Sequence, residues 1–391
     1  MKFLIDENIP FADEFFSGLG EVTRFPGRDL APEQLIDVDV LLVRSITKVD
    51  EKLIALANAL KFVGTATIGE DHIDKQLLSE RGIAFSSAPG CNANSVAEFV
   101  ISALFVLAEK YQIDFSEKTV AVIGVGNIGQ NLQQKLSVLG IELLLCDPYR
   151  ANDDSLTNYV TLEAALTKAD VISFHTPLTR TGPYPTYHLL NGKNLPLLKD
   201  DVCIVNASRG EVIDNQALLT HIQFRQKHGK PAIRLVLDVW EGEPNPLKEL
   251  IPFCDLTTAH IAGYSLEGKA KGTEMLYKKV CELFKLKTSV SLANTLPKGL
   301  ITDIHLDYKV DSNKEQSLGL KLSSTSLLKI LIHTVYDVRR DDGVFRHNLD
   351  KNSFDWIRKN YPIRREWSSI SVNCNHPEVA DFLRLLGFNT K

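Results

Sequence analysis

The sequence predicts an α/β protein: two parallel-sheet lobes with a cleft between them, followed by a C-terminal α+β module. Three observations predict it. Short apolar strands alternate with helical patterns in two successive arrays, residues 1 to about 90 and about 117 to 260. Most of those strands run straight into polar residues or glycines. Beyond about residue 290 the pattern changes to clean two-residue alternation. Strands alternating with helices imply parallel sheets with crossover helices, and period-two alternation implies a strand with one buried face.

In the first array the strands are Lys2–Ile5, Val22–Phe25, Val40–Val43, Lys61–Gly64 and Ile83–Phe85. Several of them lead straight into polar residues: Asp6-Glu7-Asn8, Arg44-Ser45, Thr65-Ala66-Thr67 and Ser86-Ser87. Ligands of open parallel sheets bind beyond the carboxyl ends of the strands, so together these residues read as a substrate wall. Singly, each reads better as a helix cap or a turn residue. Ala88–Ser95 is a turn-rich break before a long apolar helix through Phe99–Ala108, a natural hinge between lobes.

The second array opens on Thr119–Ile123, which runs into Gly124-x-Gly126-x-x-Gly129 and a helix over Gln130–Leu139. Gly124 suits the tight turn, Gly126 the close approach of backbone to a pyrophosphate, and Gly129 the packing of helix on strand; Asn127 and Ile128 complete the cradle. The next run, Ile141–Cys146, ends in Asp147, about 20 residues past the glycines, where a carboxylate accepts from ribose hydroxyls. This is a Rossmann-type cradle for NAD; Asp147 disfavours the 2′-phosphate of NADP, while Arg150 argues the other way. Further strands are Val171–Phe174, Val202–Val205, Leu235–Leu237 and Leu256–Thr258. Their ends carry His175-Thr176-Pro177, Asn206-Ala207-Ser208-Arg209, Asp238 and His260. A helix over Leu266–Phe284 can return to the first lobe. Residues 1–92 with 265–288 then form the substrate lobe, 93–264 the NAD-binding domain and 289–391 the C-terminal module.

In that module Thr302–Val310 and Ser369–Cys374 read as strands, Ser324–Val335 and Val379–Leu386 as helices, and Asp311–Gln316 as a solvated loop. The basic pairs Arg339-Arg340 and Arg364-Arg365 read as interface or surface ion pairs. No metal cluster stands out. The chain has 391 residues, 44% hydrophobic and 24% charged, the composition of ordinary globular domains. A net charge of −5 offers no footprint for nucleic acid or an anionic membrane. Six cysteines without CxxC spacing read as reduced, mostly buried thiols and a cytoplasmic location. Asp6 and Glu7 break the apolar start that a signal peptide needs, and Phe99–Ala108 is about half a membrane span.

Oxidising a 2-hydroxy acid needs a hydride acceptor, a base for the hydroxyl proton and a cation for the carboxylate. His260 suits the base, because imidazole titrates near neutral pH. Glu243 suits the acid that orients it, with Glu241 a competitor for that role. Arg209 suits the cation, since its fork holds a carboxylate.

The order Gly124-x-Gly126-x-x-Gly129, Asp147, His175-Thr176-Pro177, Asn206-x-Ser208-Arg209-Gly210, Asp238-x-Trp240-x-x-Glu243-Pro244 and His260-Ile261-Ala262-Gly263 resembles the D-isomer-specific 2-hydroxyacid dehydrogenases, over roughly residues 1 to 285. The resemblance implies two Rossmann-type lobes, an active site in the cleft, and a catalytic Arg/Glu/His set falling on Arg209, Glu243 and His260. It is closer still to one branch of that family, through Asp6–Asn8, Val43–Lys48, Phe62–Thr67, Ala88–Asn92, Ile261–Lys269, Val335–Asp342 and Arg364–Ser369. That closer resemblance implies oxidation of a small phosphorylated hydroxy acid, with Ser45, Thr67 and Tyr264 at the substrate. It implies Asp147, Thr176, Ala207, Asp238 and Gly263 along the NAD, with Ser208 and Arg209 beside them, and a homodimer through the C-terminal module. Arg44 and Lys48 are candidates for the phosphate. The rivals are another family member, acting on 3-phosphoglycerate or on hydroxypyruvate or glycerate, and a non-catalytic NAD(H)-sensing protein. The C-terminal module also admits an effector-binding reading.

Overall fold

The structure, a computed structural model, describes residues 1–151, 159–307 and 326–391. The chain forms two compact units.

Unit 1 comprises Met1–Asn92 and Tyr264–Lys298. Its sheet holds β1 (Lys2–Asp6), β2 (Glu21–Phe25), β3 (Val40–Val43), β4 (Phe62–Thr65) and β5 (Ala84–Ser86), all parallel, in the order β2-β1-β3-β4-β5. The central strand β3 is Val-Leu-Leu-Val and every residue of it is buried. Period two sends Leu41 and Val43 to one apolar layer with Leu4 and Val63. Val40 and Leu42 go to the other, with Phe3, Ile5 and Leu276, Tyr277 and Val280 of the helix Leu266–Leu283. That helix is one cover of the sheet, and each fully buried Leu or Val here contributes about 1.5–3 kcal/mol. Strands β1 and β4 run a residue beyond the apolar pattern, because the ladder still pairs Asp6 with Phe25 and Val43 with Thr65.

Unit 2 comprises Ala93–Gly263 and Gly299–Lys391. Its main sheet holds β6 (Thr119–Ile123), β7 (Glu142–Cys146), β8 (Val171–Phe174), β9 (Cys203–Asn206), β10 (Arg234–Leu237) and β11 (Leu256–Thr257), in the order β11-β10-β9-β8-β6-β7. Strand order reverses at β6, and such a switch point opens a crevice at the carboxyl ends where ligands bind. The expected apolar helix spans Ala93–Tyr111 and buries Phe99, Val100, Ile101, Ala103 and Leu104.

A small parallel sheet of β12 (Asp303–Leu306), β13 (Ser371–Cys374) and β14 (Asn389–Thr390) lies in the C-terminal segment. The end of the strand read over Thr302–Val310, the start of the helix read over Ser324–Val335 and the loop Asp311–Gln316 lie outside the described residues. Strand β13 starts at Ser371 instead of Ser369 because Trp367–Ser369 makes a tight helical turn. Two helices here, Val338–Asn348 and Phe354–Lys359, escape the hydrophobic periodicity. The first shows only Val338, Val344 and Phe345 as apolar residues among Arg339, Arg340, Asp341, Asp342 and Arg346. Caps set their starts: Asp337 accepts from Arg339 N, and Ser353 from Trp356 N. Phe345, Phe354 and Ile357 lie in the same apolar core as Trp240 and Leu250 of the main sheet's loops. Arg364 differs from its surface or interface reading: it is 2% exposed.

Candidate active site

The glycines of the cradle divide their work. Gly124 has φ +88°, and a Cβ there would strike the His175 carbonyl at 2.8 Å. At Gly129 a Cβ would lie 2.0 Å from Gly124 O, so only glycine lets the helix Asn127–Val138 pack on the turn. A Cβ on Gly126 would meet nothing within 4 Å. Gly126 is also the N-cap, with no side chain bonded to the helix start, which leaves backbone N–H groups and the helix dipole for an anion. Asp147, at the end of β7, accepts from Val125 N at 2.9 Å and Tyr149 N at 3.1 Å, which fixes it beside the glycine turn. With the Gln130 amide oxygen turned toward it, Arg150 donates through Nη2 at 2.9 Å.

Beyond β8 the buried Thr176 Oγ1 has no hydrogen-bond partner among the described residues. A buried hydroxyl without a partner is rare unless a ligand supplies one. The open Gly126, the uncapped helix start and this hydroxyl are together what a dinucleotide requires. His175 is buried beside it, with Nε2 2.8 Å from Ser173 Oγ, and burial pushes its imidazole down to about 3, so it stays neutral.

Beyond β9, Asn206 Oδ1 accepts from Ser208 N and Oγ at 3.1 and 2.9 Å, and its Nδ2 donates to Arg209 O at 3.0 Å. These bonds shape the turn and leave Ala207 and Ser208 buried and Arg209 half-buried. Arg209 Nη1 donates to Ser208 O at 2.8 Å. Gly210 lets this turn touch the next one: a Cβ there would lie 2.0 Å from the Trp240 carbonyl carbon.

The turn after β10 holds the acid. Glu243 Oε1 accepts from Trp240 N at 2.9 Å, and Oε2 lies 2.8 Å from His260 Nδ1. Burial pushes the Glu243 carboxyl up, but the His260 charge and hydrogen bond, the Trp240 amide and the Arg358 charge together hold it below its ordinary value. An ionised carboxylate only accepts, so the proton in this bond is carried by His260 Nδ1, and Nε2 is the ring nitrogen left to exchange a proton with a ligand. Glu241 is engaged elsewhere, 2.6 Å from His188 Nε2 and accepting from Asn215 N at 3.1 Å.

Asp238, 1% exposed, is the hub of the His260 loop. Its carboxylate accepts from Thr258 Oγ1 at 2.6 Å, Ile261 N at 2.7 Å and Ala262 N at 3.0 Å, and its carbonyl from His260 N at 2.6 Å. Burial pushes its pKa up, and the His260 charge with these donors only partly offsets that. His260 itself has φ +55°, a left-handed backbone that the surrounding bonds must hold. Gly263 follows, half-buried, as the last residue before the chain leaves unit 2. Unit 2 thus brings together the glycine turn, Asp147, Thr176, the 206–209 turn, Glu243 and His260 along one sheet edge.

In unit 1, Ser45 is exposed beyond β3, and Thr67 beyond β4 shares a hydrogen bond of 2.7 Å with Thr65 and donates to Gly69 O at 3.2 Å. Arg44 lies 5.3 Å over the Tyr264 ring, and Lys269 Nζ lies 4.2 Å over it. Lys48 is 79% exposed and pairs with Asp50 at 3.2 Å. Lys269 escapes the sequence reading, although a cation within one helical turn of the Ser265 cap is a signal for it. The framework roles of Asn206 and Gly210 likewise come from the hydrogen bonds and close approach of the folded turn.

Residues 105–262 match the family described as D-isomer specific 2-hydroxyacid dehydrogenase, NAD binding domain, and residues 309–387 match a family described as a domain of unknown function. The chain is 48% identical to erythronate-4-phosphate dehydrogenases of Proteus mirabilis and Tolumonas auensis, over 100% of this chain and 99% of each relative. It is 44% identical to the enzyme of that name from Shewanella oneidensis, over 100% of this chain and 99% of the relative. Among solved structures it is similar to an Aquifex aeolicus D-lactate dehydrogenase complexed with NAD and lactic acid, at TM-score 0.58 and 24% identity, covering 72% of this chain and 95% of that one. A cofactor-bound 3-phosphoglycerate dehydrogenase of Entamoeba histolytica aligns at TM-score 0.61 and 22% identity, covering 74% and 98%. At such identities the structural likeness speaks to fold alone.

Proposed function

The chain belongs to the erythronate-4-phosphate dehydrogenase family, and on that premise we propose how its residues carry out the reaction. It is an NAD-dependent dehydrogenase that oxidises 4-phospho-D-erythronate to 2-oxo-3-hydroxy-4-phosphobutanoate, a step of pyridoxal 5′-phosphate biosynthesis. The full-length likeness, C-terminal segment included, favours this substrate over 3-phosphoglycerate or glycerate.

The observation that carries the chemistry is the 2.8 Å bond from His260 Nδ1 to Glu243, which leaves Nε2 as the base. His260 Nε2 takes the proton of the C2 hydroxyl, and Glu243 steadies the imidazolium that forms. Arg209 holds the C1 carboxylate and polarises the C2 oxygen. NAD, when bound, accepts the hydride that leaves C2. Gly124, Gly126, Asn127, Ile128 and Gly129 hold the pyrophosphate and Asp147 the ribose hydroxyls. Thr176, Ala207, Ser208 and Gly263 line the rest of the dinucleotide, and Asp238 supports it from within the loop. Ser45, Thr67 and Tyr264 contact the substrate. Arg44 and Lys269, whose charges converge on the Tyr264 ring, supply the positive field for the phosphate, with Lys48 a lesser contributor.

The chain works as a homodimer through its C-terminal segment, where Ile330, Ile363 and Leu385 are 61%, 75% and 68% exposed. A cytoplasmic setting agrees with six cysteines that form no disulfide, and no helix among the described residues is long and apolar enough to cross a membrane. Purified chain offered 4-phosphoerythronate, 3-phosphoglycerate and D-glycerate side by side, with a 2-oxo acid present to reoxidise NADH, tests the substrate. The highest kcat/KM falls to 4-phosphoerythronate; preference for either other acid sinks the reading. Light scattering after size exclusion, at several concentrations, tests the dimer.

A further inference from the structure

The stretch that carries His260 is held at both ends by the C-terminal segment. At its start, Asp342 Oδ1 accepts from Thr257 N and Oγ1, both at 2.8 Å. At its end, Arg364 Nη1 donates to Ala262 O at 2.8 Å. The same guanidinium donates through Nη2 to Ser95 O at 2.6 Å and lies 3.5 Å over the Tyr336 ring. Both carbonyls are close in sequence to the points where the chain passes from one unit to the other, Asn92 to Ala93 and Gly263 to Tyr264.

A cation 2% exposed is costly to keep, and an apolar side chain of similar volume would fill the same space at lower cost. What an apolar side chain cannot do is donate to two carbonyls at once. Ala262 is 1% exposed, so without Arg364 its carbonyl would lose a buried charged donor. The loop it belongs to holds His260 at φ +55° and has its amides fixed from the other side by Asp238. Such a backbone persists only when its surroundings over-determine it. Asp238 supplies one half of that determination and the C-terminal segment the other.

We propose that the C-terminal segment acts on catalysis at one remove: Arg364, seconded by Asp342, is a positioning residue that fixes the His260 loop against Asp238 and Glu243. This rests on the reading of His260 as the base, and it gives a role to part of the stretch that matches a domain of unknown function.

The test uses the full chain with Arg364→Ala, Arg364→Lys and Asp342→Asn. Glu366→Gln is the comparison, because Glu366 accepts from the Asn94 and Ser95 side chains in the same buried cluster. Three quantities are read: kcat against KM, the Kd for NADH, and amide hydrogen exchange of the 257–263 stretch in cofactor-free protein. For Arg364→Ala the expected result is a kcat lowered roughly 10²-fold, an NADH Kd changed much less than kcat because Gly263 alone of the loosened stretch lines the cofactor, faster exchange at 257–263, and partial recovery of kcat with low-millimolar guanidinium. If that variant does not fold, Arg364→Lys and Asp342→Asn carry the test, with kcat lowered at least about tenfold and faster exchange. Wild-type kcat and exchange in a folded Arg364 variant overturn the proposal. So does an equal loss of kcat in Glu366→Gln. The exchange is read without substrate, so failure of the wild-type chain to oxidise any acid would discredit His260 as base and leave the bracing of its loop separately decided.

Discussion

Replacing Glu243 by Gln keeps the shape of the acid and removes its charge. The carboxylate now bridges Trp240 N and His260 Nδ1 at 2.9 and 2.8 Å. Two unit charges about 4 Å apart interact by about 4 kcal/mol at an effective dielectric near 20. His260 is 33% exposed and Glu243 22%, so water screens part of this, leaving about 2–3 kcal/mol of help to the imidazolium that forms in the transition state. At 1.36 kcal/mol per tenfold, kcat should fall roughly 30- to 150-fold. The amide can also present its NH2 to Nδ1, which would favour the tautomer with Nε2 protonated and push the loss higher. Steady-state kinetics at saturating cofactor, with NADH affinity measured by fluorescence, separates this from a binding defect. A kcat within about threefold of wild type would refute the role given to Glu243, since so small a change is under 1 kcal/mol.

His260→Ala should lower kcat sharply with little loss of NAD affinity; if kcat held and only cofactor binding fell, the base lies elsewhere. Gly210→Ala would drive a Cβ to 2.0 Å from the Trp240 backbone and should destabilise the chain by about 1–3 kcal/mol or more, read as a lower urea midpoint. Glu98 is fully buried, and burial, then the Glu366 charge, pushes its carboxyl up to about 8 while Lys135 and Arg364 pull it down. Its folded pKa lies above the ordinary 4.5, so the native state binds the extra proton between those values. Stability from this group is present below pH about 4.5 and is lost as pH rises through about 8. Thermal melts from pH 5 to 9 should lose part of that downward slope in Glu98→Gln, and an unchanged slope would discount the shift.

The cradle was legible because glycine is read by what it lacks: Gly124 needs a positive φ and Gly129 needs the room of a missing Cβ. The strand ends were legible because buried parallel strands are apolar on both faces and stop where polarity begins, as Val40–Val43 does at Arg44. The pairing of His260 with Glu243 over Glu241 was open in the sequence. Two residues of spacing decide it only once the turn closes and Gly210 seats against Trp240. Arg364 was illegible for a stronger reason. A run of arginines says surface by composition, and only the backbone carbonyls of Ala262 and Ser95, 102 and 269 residues away in sequence, convert one into an interior clamp. The helix Val338–Asn348 hid in the same way, its few apolar residues leaving no periodic stripe to count.

The most direct measurement is the fate of the C2 hydrogen. Chain supplied with 4-phospho-D-erythronate deuterated at C2 should give reduced nicotinamide carrying that deuterium, one label per 2-oxo acid formed. A slower kcat with the deuterated acid should follow when hydride transfer limits the rate. Reduced nicotinamide without deuterium, or no reduction by this acid in a chain that binds NAD, would contradict the account.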